Sequence, residues 1–513
     1  MGQNFISCDR GQAFLMPPSL MDWLSEDHLV WTVLGAVDQM NLDAFYGAYR
    51  ANGQGRAAYD PAMMVGLFLY AYALGIRSSR AIERACWEDV AFKVIAAMEV
   101  PDHSTIAEFR RRHEQALGEL FVDVLALCGE AGLVQVGEIA VDGTKVRANA
   151  SRDRNRSYES IVSEILEQAE RADREEDERF GSARGDELPE QQRTRESRRE
   201  ALKAAREKLE RERAAERDEG REVVERVELE LDPDEFVTRS FGRRNWLREG
   251  RRELDRELEE QARPIARSRS ERLEESRRRM DEELAVEHAS NRCYETYRAG
   301  GRMKDGRRFG GPPTAWEPPL VPDGKINTTD HDSRIMRTQG QPAIQGYNAQ
   351  AAVTDRQIIV AAEITVDSPD FGHLEPTVNA ARRDLELAGV AESVGIVVAD
   401  AGYWHKKQME NLVSDGIQVL IPPDGGLREG TRPGWEGGMY DHMRRVLASQ
   451  RGRALYRKRK QSIEPVFGQI KYNRRCGRFK RRGRAAVRSE WRLIAATHNL
   501  LKLHSHWIVA EPA

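Results

Sequence analysis

A mostly β-branched apolar run, Val394-Gly-Ile-Val-Val-Ala399, ends directly on a carboxylate, Asp400, and a glycine, Gly402, follows two positions later. Such a run reads as a buried strand whose acid emerges where the strand stops and the backbone turns. A single acid in that setting is also what a cap for the next helix looks like, so Asp400 alone carries little meaning. It gains meaning only if other acids share the setting.

One does. Glu138-Ile-Ala-Val-Asp142-Gly-Thr-Lys-Val-Arg147 is a second strand-like run with an acid just before a glycine. Alternation puts Lys145 and Arg147 on one face with Ile139 and Val141, and Asp142 on the other with Ala140, Thr144 and Val146. An acid among small and apolar residues is costly when buried, unless it is paired or bound to a metal. Downstream, residues 347–353 and 357–366 read as a hairpin whose short loop lacks glycine. Residues 376–387 and 405–414 read as helices, and 417–421 as a strand stopped by Pro422 and Pro423. Together with the Asp400 strand this is a mixed α/β core around one sheet.

Residues 1 to about 135 read as helical. Pro61 suits the first turn of an apolar helix that Gly75 ends, and a tight turn leads to a short helix over 80–87. Thr105-Ile-Ala-Glu108 has the form of a capping box opening a helix over 106–130, with the basic cluster Arg110, Arg111, Arg112 and His113 near its start. Helix, short turn, helix and then a basic helix suit a DNA-binding module, and equally a plain bundle with solvated arginines. From about 151 to 303 Arg and Glu dominate, and apolar residues such as Leu202 and Leu209 are too sparse for a thick core. Long helices with solvated i,i+4 ion pairs are expected there, broken near Pro233 and Pro264. The Gly- and Pro-rich stretch 305–325 reads as a linker back to the core.

Between Met443 and Arg488 stand seventeen Lys or Arg and a single acid, Glu464. Helical spacing gathers Ile463, Phe467 and Ile470 into an apolar stripe, with Glu464 beside it and Lys471 two turns further on the same side. Pro465 is tolerated if it lies in a first helical turn. Packing of that stripe on the sheet would carry Glu464 beside the strand-end aspartates. Like charges at this density repel one another, which points to a polyanionic partner.

Five scattered cysteines with no CxxC pair argue for a reducing compartment and against a disulfide frame or a zinc site. The most apolar stretch, 63–76, is too short for a bilayer, which needs about 20 residues. The N-terminus matches neither a secretory signal nor a myristoylation pattern. A cytoplasmic protein with no membrane partner is expected. His498, His504 and His506 read as structural or surface residues. Asp330, Asp332, Asp367 and Asp370 are rival acids, of which only Asp367 ends a strand-like run.

Four stretches stand in one order ahead of the basic tail: Val141-Asp142-Gly-Thr-Lys145, Gln345-Gly-Tyr-Asn-Ala-Gln350, Ala399-Asp400-Ala-Gly-Tyr403 and Ser462-Ile-Glu464-Pro-Val-Phe-Gly-Gln-Ile-Lys471. Together they resemble the motifs of the DDE transposases of bacterial insertion sequences, and residues 59–113 look like the helical domain that precedes the core in one branch of that family. The resemblance implies an α/β, RNase H-like mixed sheet flanked by helices (136–150 and 325–513). It also implies an all-α N-terminal domain for DNA-end binding (1–135), with the charged helical insertion and linker (151–324) following the first strand. Asp142, Asp400 and Glu464 would be catalytic and would hold two Mg²⁺ ions, for which Mn²⁺ could substitute. Tyr456, Arg459, Lys460 and Lys471 would contact DNA, and Arg478, Lys480, Arg481 and Arg482 would extend that footprint.

Two features depart from the family pattern. The gap from Tyr456 to Glu464 is one residue longer than usual, so Arg459 and Lys460 compete for one basic role. The insertion follows the first strand instead of preceding the glutamate helix. The implied activity is metal-dependent cleavage at the element's ends and strand transfer into target DNA, in bacterial cytoplasm, by a homodimer or larger assembly on terminal inverted repeats. An RNase H-like nuclease without strand transfer, or a DNA-binding protein with an inactive core, would share the fold.

Overall fold

The computed structural model describes residues 20–49, 58–180, 268–301, 314–338, 340–425 and 435–510, with a few positions between 247 and 254. Leu202, Leu209, Pro233 and Pro264, on which the expectation for the charged middle rests, lie outside the described residues, as does the start of the 305–325 linker. The chain divides into two compact units, Met1–Ala150 with Asp332–Ala513, and Ser151–His331.

The first unit opens with helices α1 (Leu29–Gln39), α2 (Asp43–Tyr46), α3 (Pro61–Ala73), α4 (Ser79–Glu88), α5 (Val90–Ile95), α6 (His103–Arg112) and α7 (Glu114–Glu130). Pro61 does begin α3, and the Asp60 carboxylate caps it by accepting the amides of Ala62 and Met63. The helix expected over 106–130 is instead two helices. Asp102, one turn before Thr105, accepts the amides of Ser104 and Thr105 and so starts α6 early, and the chain breaks step at buried His113.

Strand β1 (Glu138–Arg147) follows. The second unit comes next, with β2 (Asn155–Arg156), α8 (Tyr158–Phe180), α9 (Arg269–Ala299) and β3 (Ile326–Asn327). Its helices meet around Ile161, Leu273 and Met280, and solvated i,i+4 pairs such as Arg277 with Asp281 run along α9.

The chain then completes the sheet of the first unit. The elements are β4 (Arg334–Thr338), β5 (Gln341–Thr354), β6 (Ile359–Thr365), α10 (Leu374–Leu387), β7 (Ile396–Ala399), α11 (Lys406–Ser414), β8 (Gln418–Leu420), α12 (Gly438–Ala448), α13 (Gln450–Gly468) and α14 (Arg484–Ala510). β1 pairs antiparallel with β5 and parallel with β7, and β7 pairs parallel with β8. β6 and the short β4, which the sequence did not announce, both pair antiparallel with β5. Antiparallel strands continued by two parallel ones make a mixed α/β sheet of the RNase H-like kind.

The β5–β6 loop has no glycine, and Gln357 takes the left-handed conformation at φ 63°. His498 donates from Nε2 to the Gln357 carbonyl at 2.9 Å, and Lys502 Nζ donates to the Gln357 side chain at 2.6 Å, so neighbours on α14 hold the strained residue. Pro465 lies inside α13, not in its first turn. A proline there strips the Gln461 carbonyl of its helical donor. The Gln357 side-chain amide donates to that carbonyl at 3.1 Å, which satisfies it from outside the helix.

α14 ties the N-terminal helices to the sheet. Arg492 donates through Nε to the Gly118 carbonyl on α7 and through Nη1 to Asp384 on α10, with its guanidinium 4.8 Å from the Phe121 ring centroid. A second buried pair, Arg77 with Glu490 at 2.8 Å, joins the α3–α4 turn to α14. Removing one partner of a buried ion pair leaves a desolvated charge behind. Glu490→Gln should therefore lower the free energy of unfolding by about 3–5 kcal/mol in urea titration, whereas Gly35→Ala, at a helical site with open space beyond it, should leave it unchanged or slightly raised.

Candidate active site

The parallel register of β1 and β7 runs Glu138 with Ile396, Ile139 with Val397, Ala140 with Val398, and Val141 with Ala399. The next residue on each strand is an aspartate. Asp142 and Asp400 therefore leave the ladder side by side, although 258 positions separate them in sequence. One oxygen of each is held by a nearby backbone amide: Gly143 N–H donates to Asp142 and Gly402 N–H to Asp400, both at 2.8 Å.

Burial and proximity work against two charges here. Burial pushes the Asp142 carboxyl up; the Arg459 guanidinium pulls it back, the Asp400 charge opposes that, and the result is about 6. Asp400 is also raised, first by burial, against the pull of the Gly402 amide, and then by the charge of Asp370. Arg459, on α13, reaches Asp142 at 2.7 Å, with the two side chains only 7% and 18% exposed. Its guanidinium also lies over the Tyr456 ring at 5.6 Å. Burial likewise raises the Tyr456 phenol, against the Arg459 charge and with the Asp400 charge.

Two adjacent, partly desolvated carboxylates, Asp142 with its second oxygen on Arg459 and Asp400 with one oxygen on the Gly402 amide, offer the hard oxygen donors that suit a divalent cation. Asp142 and Asp400 fit that role. Glu464 is not gathered with them. It is exposed on α13, whose buried residues are Gly452, Arg459, Ser462, Ile463 and Val466, and among the described residues no hydrogen bond or ion pair holds it. No group of three or more His, Cys, Asp or Glu able to hold a metal ion occurs among the described residues.

The expected DNA-contacting residues divide by environment. Lys471 is half-buried just past the end of α13, and its ammonium donates to Thr144 Oγ1 and the Lys145 carbonyl, both at 3.0 Å, a short way past Asp142 on β1. Burial, then the Lys145 charge, lowers its pKa. Lys460, Arg478, Lys480 and Arg482 are exposed. Arg481 is paired with Glu114, and Arg482 donates to the Asn149 carbonyl at 3.0 Å.

The basic loop after α13 is itself a built feature. Its strand-like part bridges β1, with Phe479 N–H donating to the Arg147 carbonyl at 2.8 Å. Arg77 donates to the carbonyls of Arg478 at 2.8 Å and Arg475 at 3.1 Å, while the Glu490 carboxylate accepts the amides of Lys480 and Arg481. Buried Arg474 donates to the Tyr72 and Ile494 carbonyls. Arg77, Arg474 and Glu490 are residues whose part in shaping this surface the sequence did not reveal, since many of their partners are backbone atoms far away along the chain.

Sheet order, neighbouring carboxylates on two adjacent strands and a basic loop that bridges the end of β1 define an RNase H-like enzyme of phosphodiester chemistry. A family model described as a transposase domain (DUF772) matches residues 18–112, and one described as a transposase DDE domain matches residues 323–500. Comparisons with curated proteins and with solved structures each found no match. The chain belongs to the DDE transposases of insertion-sequence type: it is a DNA transposase, which cleaves DNA at insertion-sequence ends and transfers strands into target DNA with the help of divalent metal. Asp142 lies outside both matched stretches, so its place beside Asp400 rests on the strand register alone. No helix among the described residues is long and apolar enough to cross a membrane.

The fold favours the protonated form of Asp142, whose pKa rises from 3.8 to about 6. Its stabilising contribution is full below the unfolded value and is lost as pH rises through the folded one. With chelator present, the parent should lose on the order of 2–3 kcal/mol of stability relative to Asp142→Asn between about pH 4 and 6, as read by thermal melts at each pH.

Proposed function

We propose that Asp142 and Asp400 are the catalytic carboxylates, with Glu464 as the third, and that the metal they hold is a pair of Mg²⁺ ions for which Mn²⁺ can substitute. The observation that carries this reading is the register that sets Asp142, midway along β1, beside Asp400, just past the end of β7. Glu464 contributes an exposed carboxylate on α13, the helix whose Arg459 already reaches Asp142. Divalent cations held by these carboxylates would supply a nucleophilic oxygen at neutral pH and neutralise charge on the transferring phosphoryl group.

The chain's own residues orient the DNA around that centre. Lys471, fixed to β1 at Thr144 and Lys145, and Lys460, Arg478, Lys480 and Arg482 on the surface contact backbone phosphates, with Tyr456 and Arg459 beside the aspartates and Arg481 bracing the loop. Water first attacks the phosphorus that joins the element's 3′ end to the flanking strand and displaces the element's 3′ oxygen, which becomes a free 3′-hydroxyl while the flanking strand keeps a 5′-phosphate. That hydroxyl then attacks a target phosphodiester and displaces its 3′ oxygen, so no covalent protein intermediate forms. Phosphate contacts fix register without reading sequence, so recognition of the terminal inverted repeats falls to the N-terminal helices. Residues 1–135 are proposed as that end-binding part, 136–150 with 325–513 as the catalytic core, and 151–324 as an insertion. Joining two ends calls for a homodimer or larger assembly, acting in bacterial cytoplasm.

The test is incubation of the full chain and Mg²⁺ with a plasmid carrying candidate terminal repeats around a marker gene, scored for excision, and with pre-cut ends, scored for joining. Asp142→Ala, Asp400→Ala and Glu464→Ala should each abolish both reactions and leave end binding nearly intact. Retained cleavage in the Asp400 variant contradicts the assignment, and excision without joining favours a nuclease. Replacing Arg478 and Lys480 by Ala should reduce the slope of log affinity against log salt by about 0.9 for each phosphate that is no longer neutralised.

A further inference from the structure

Asp370 belongs to none of the four motifs, yet residues from three of them converge on it. Lys145 Nζ reaches its carboxylate at 3.1 Å, and the side-chain amides of Asn348 and Gln350 donate to it at 2.8 and 2.9 Å. Tyr403, fully buried, donates its hydroxyl to Gln350 and so fixes that amide. The β1–β5 register explains the convergence: Lys145 lies opposite Asn348, and Gly143 lies opposite Gln350.

Gly143 makes room for the acid. A Cβ built at Gly143 would stand 2.4 Å from Asp370 Oδ1 and 2.4 Å from the Gln350 amide nitrogen, so any side chain there would expel the carboxylate. Strand alternation puts Gly143 and Lys145 on the face of β1 opposite Asp142. Asp370 thus lies beneath the part of β1 that carries Asp142 and beside the turn that carries Asp400, where a Cβ built at Gly402 would stand 3.9 Å from the Asp370 Cβ. Its three donors leave it little freedom to swing out as a ligand. Its charge nonetheless acts on both Asp142 and Asp400, and that of Lys145 acts on Asp400.

We propose that Asp370 is a positioning residue that sets the cation affinity of the Asp142–Asp400 pair, supplying a fixed negative charge from beneath the sheet that Lys145 partly offsets. The inference rests on the reading of that pair as the metal-holding site. It assigns Asp370 and Lys145 opposite electrostatic effects, which a purely architectural role does not.

The experiment is titration of the full chain with Mn²⁺ followed by electron paramagnetic resonance, with thermal melts in chelator run alongside. Asp370→Asn should weaken Mn²⁺ binding on the order of tenfold, the usual scale for outer-shell partners of a metal site. Lys145→Gln, which keeps an N–H donor toward Asp370 but removes the positive charge, should tighten it several-fold. Unchanged affinity in Asp370→Asn, or weaker binding in both variants, overturns the proposal. Should Asp370→Asn fail to fold, Lys145→Gln decides: tightening supports the proposal, and no change or weakening overturns it. Asp142→Asn separates the two levels, because Mn²⁺ binding as tight as in the parent would overturn the metal site itself and the role of Asp370 with it.

Discussion

The structure turns on a repulsion. Strand register sets Asp142, midway along β1, beside Asp400 at the end of β7, and burial removes the water that would screen them. Such an arrangement persists only where compensation is built nearby. Arg459 supplies part of it from α13, and two backbone amides fix one oxygen of each acid. What is left over is a strong demand for further positive charge at one point on the sheet, which is what a divalent cation and a polyanionic substrate require of an enzyme.

The N-terminal helices are joined to this machinery through a shared core. Arg77, in the turn after α3, binds the carbonyls of Arg475 and Arg478, and its partner Glu490 binds the amides of Lys480 and Arg481. Gly75 comes so close to the Arg474 carbonyl that a Cβ would stand 2.1 Å from it. The two stretches matched by family models thus meet where the basic loop is shaped. Buried contacts to its backbone hold that loop in one form, so its exposed cations Arg478, Lys480 and Arg482 stand on a fixed support.

Much of this is legible in the sequence where physics is local. The runs ending on Asp142 and Asp400 show themselves as strands by their apolar patterning, and the hairpin and the terminal basic stretch likewise. What stays hidden depends on partners remote in the chain. Asp370 follows its strand by several residues and looks like any loop acid, because its partner Lys145 is 225 positions away and its space comes from a missing side chain at Gly143. Pro465 looks like a first-turn residue because the donor that replaces its absent N–H comes from Gln357, 104 positions upstream of the carbonyl it serves. Thr105 loses the capping role to Asp102 because a carboxylate on that side accepts two amides at once. The apolar stripe beside Glu464 points that acid toward the aspartates, yet the residue that the helix carries to Asp142 is Arg459.

The central claim is that Asp142 and Asp400 together form the metal-holding centre. Its most direct test is to load the full chain with Fe²⁺ in place of Mg²⁺, generate hydroxyl radicals at the bound ion, and map where the backbone is cut. Cuts clustered around Asp142 in the middle of β1 and at the end of β7, lost in Asp400→Asn, are the predicted result. Cuts elsewhere in the chain, or a pattern unchanged by that substitution, would contradict it.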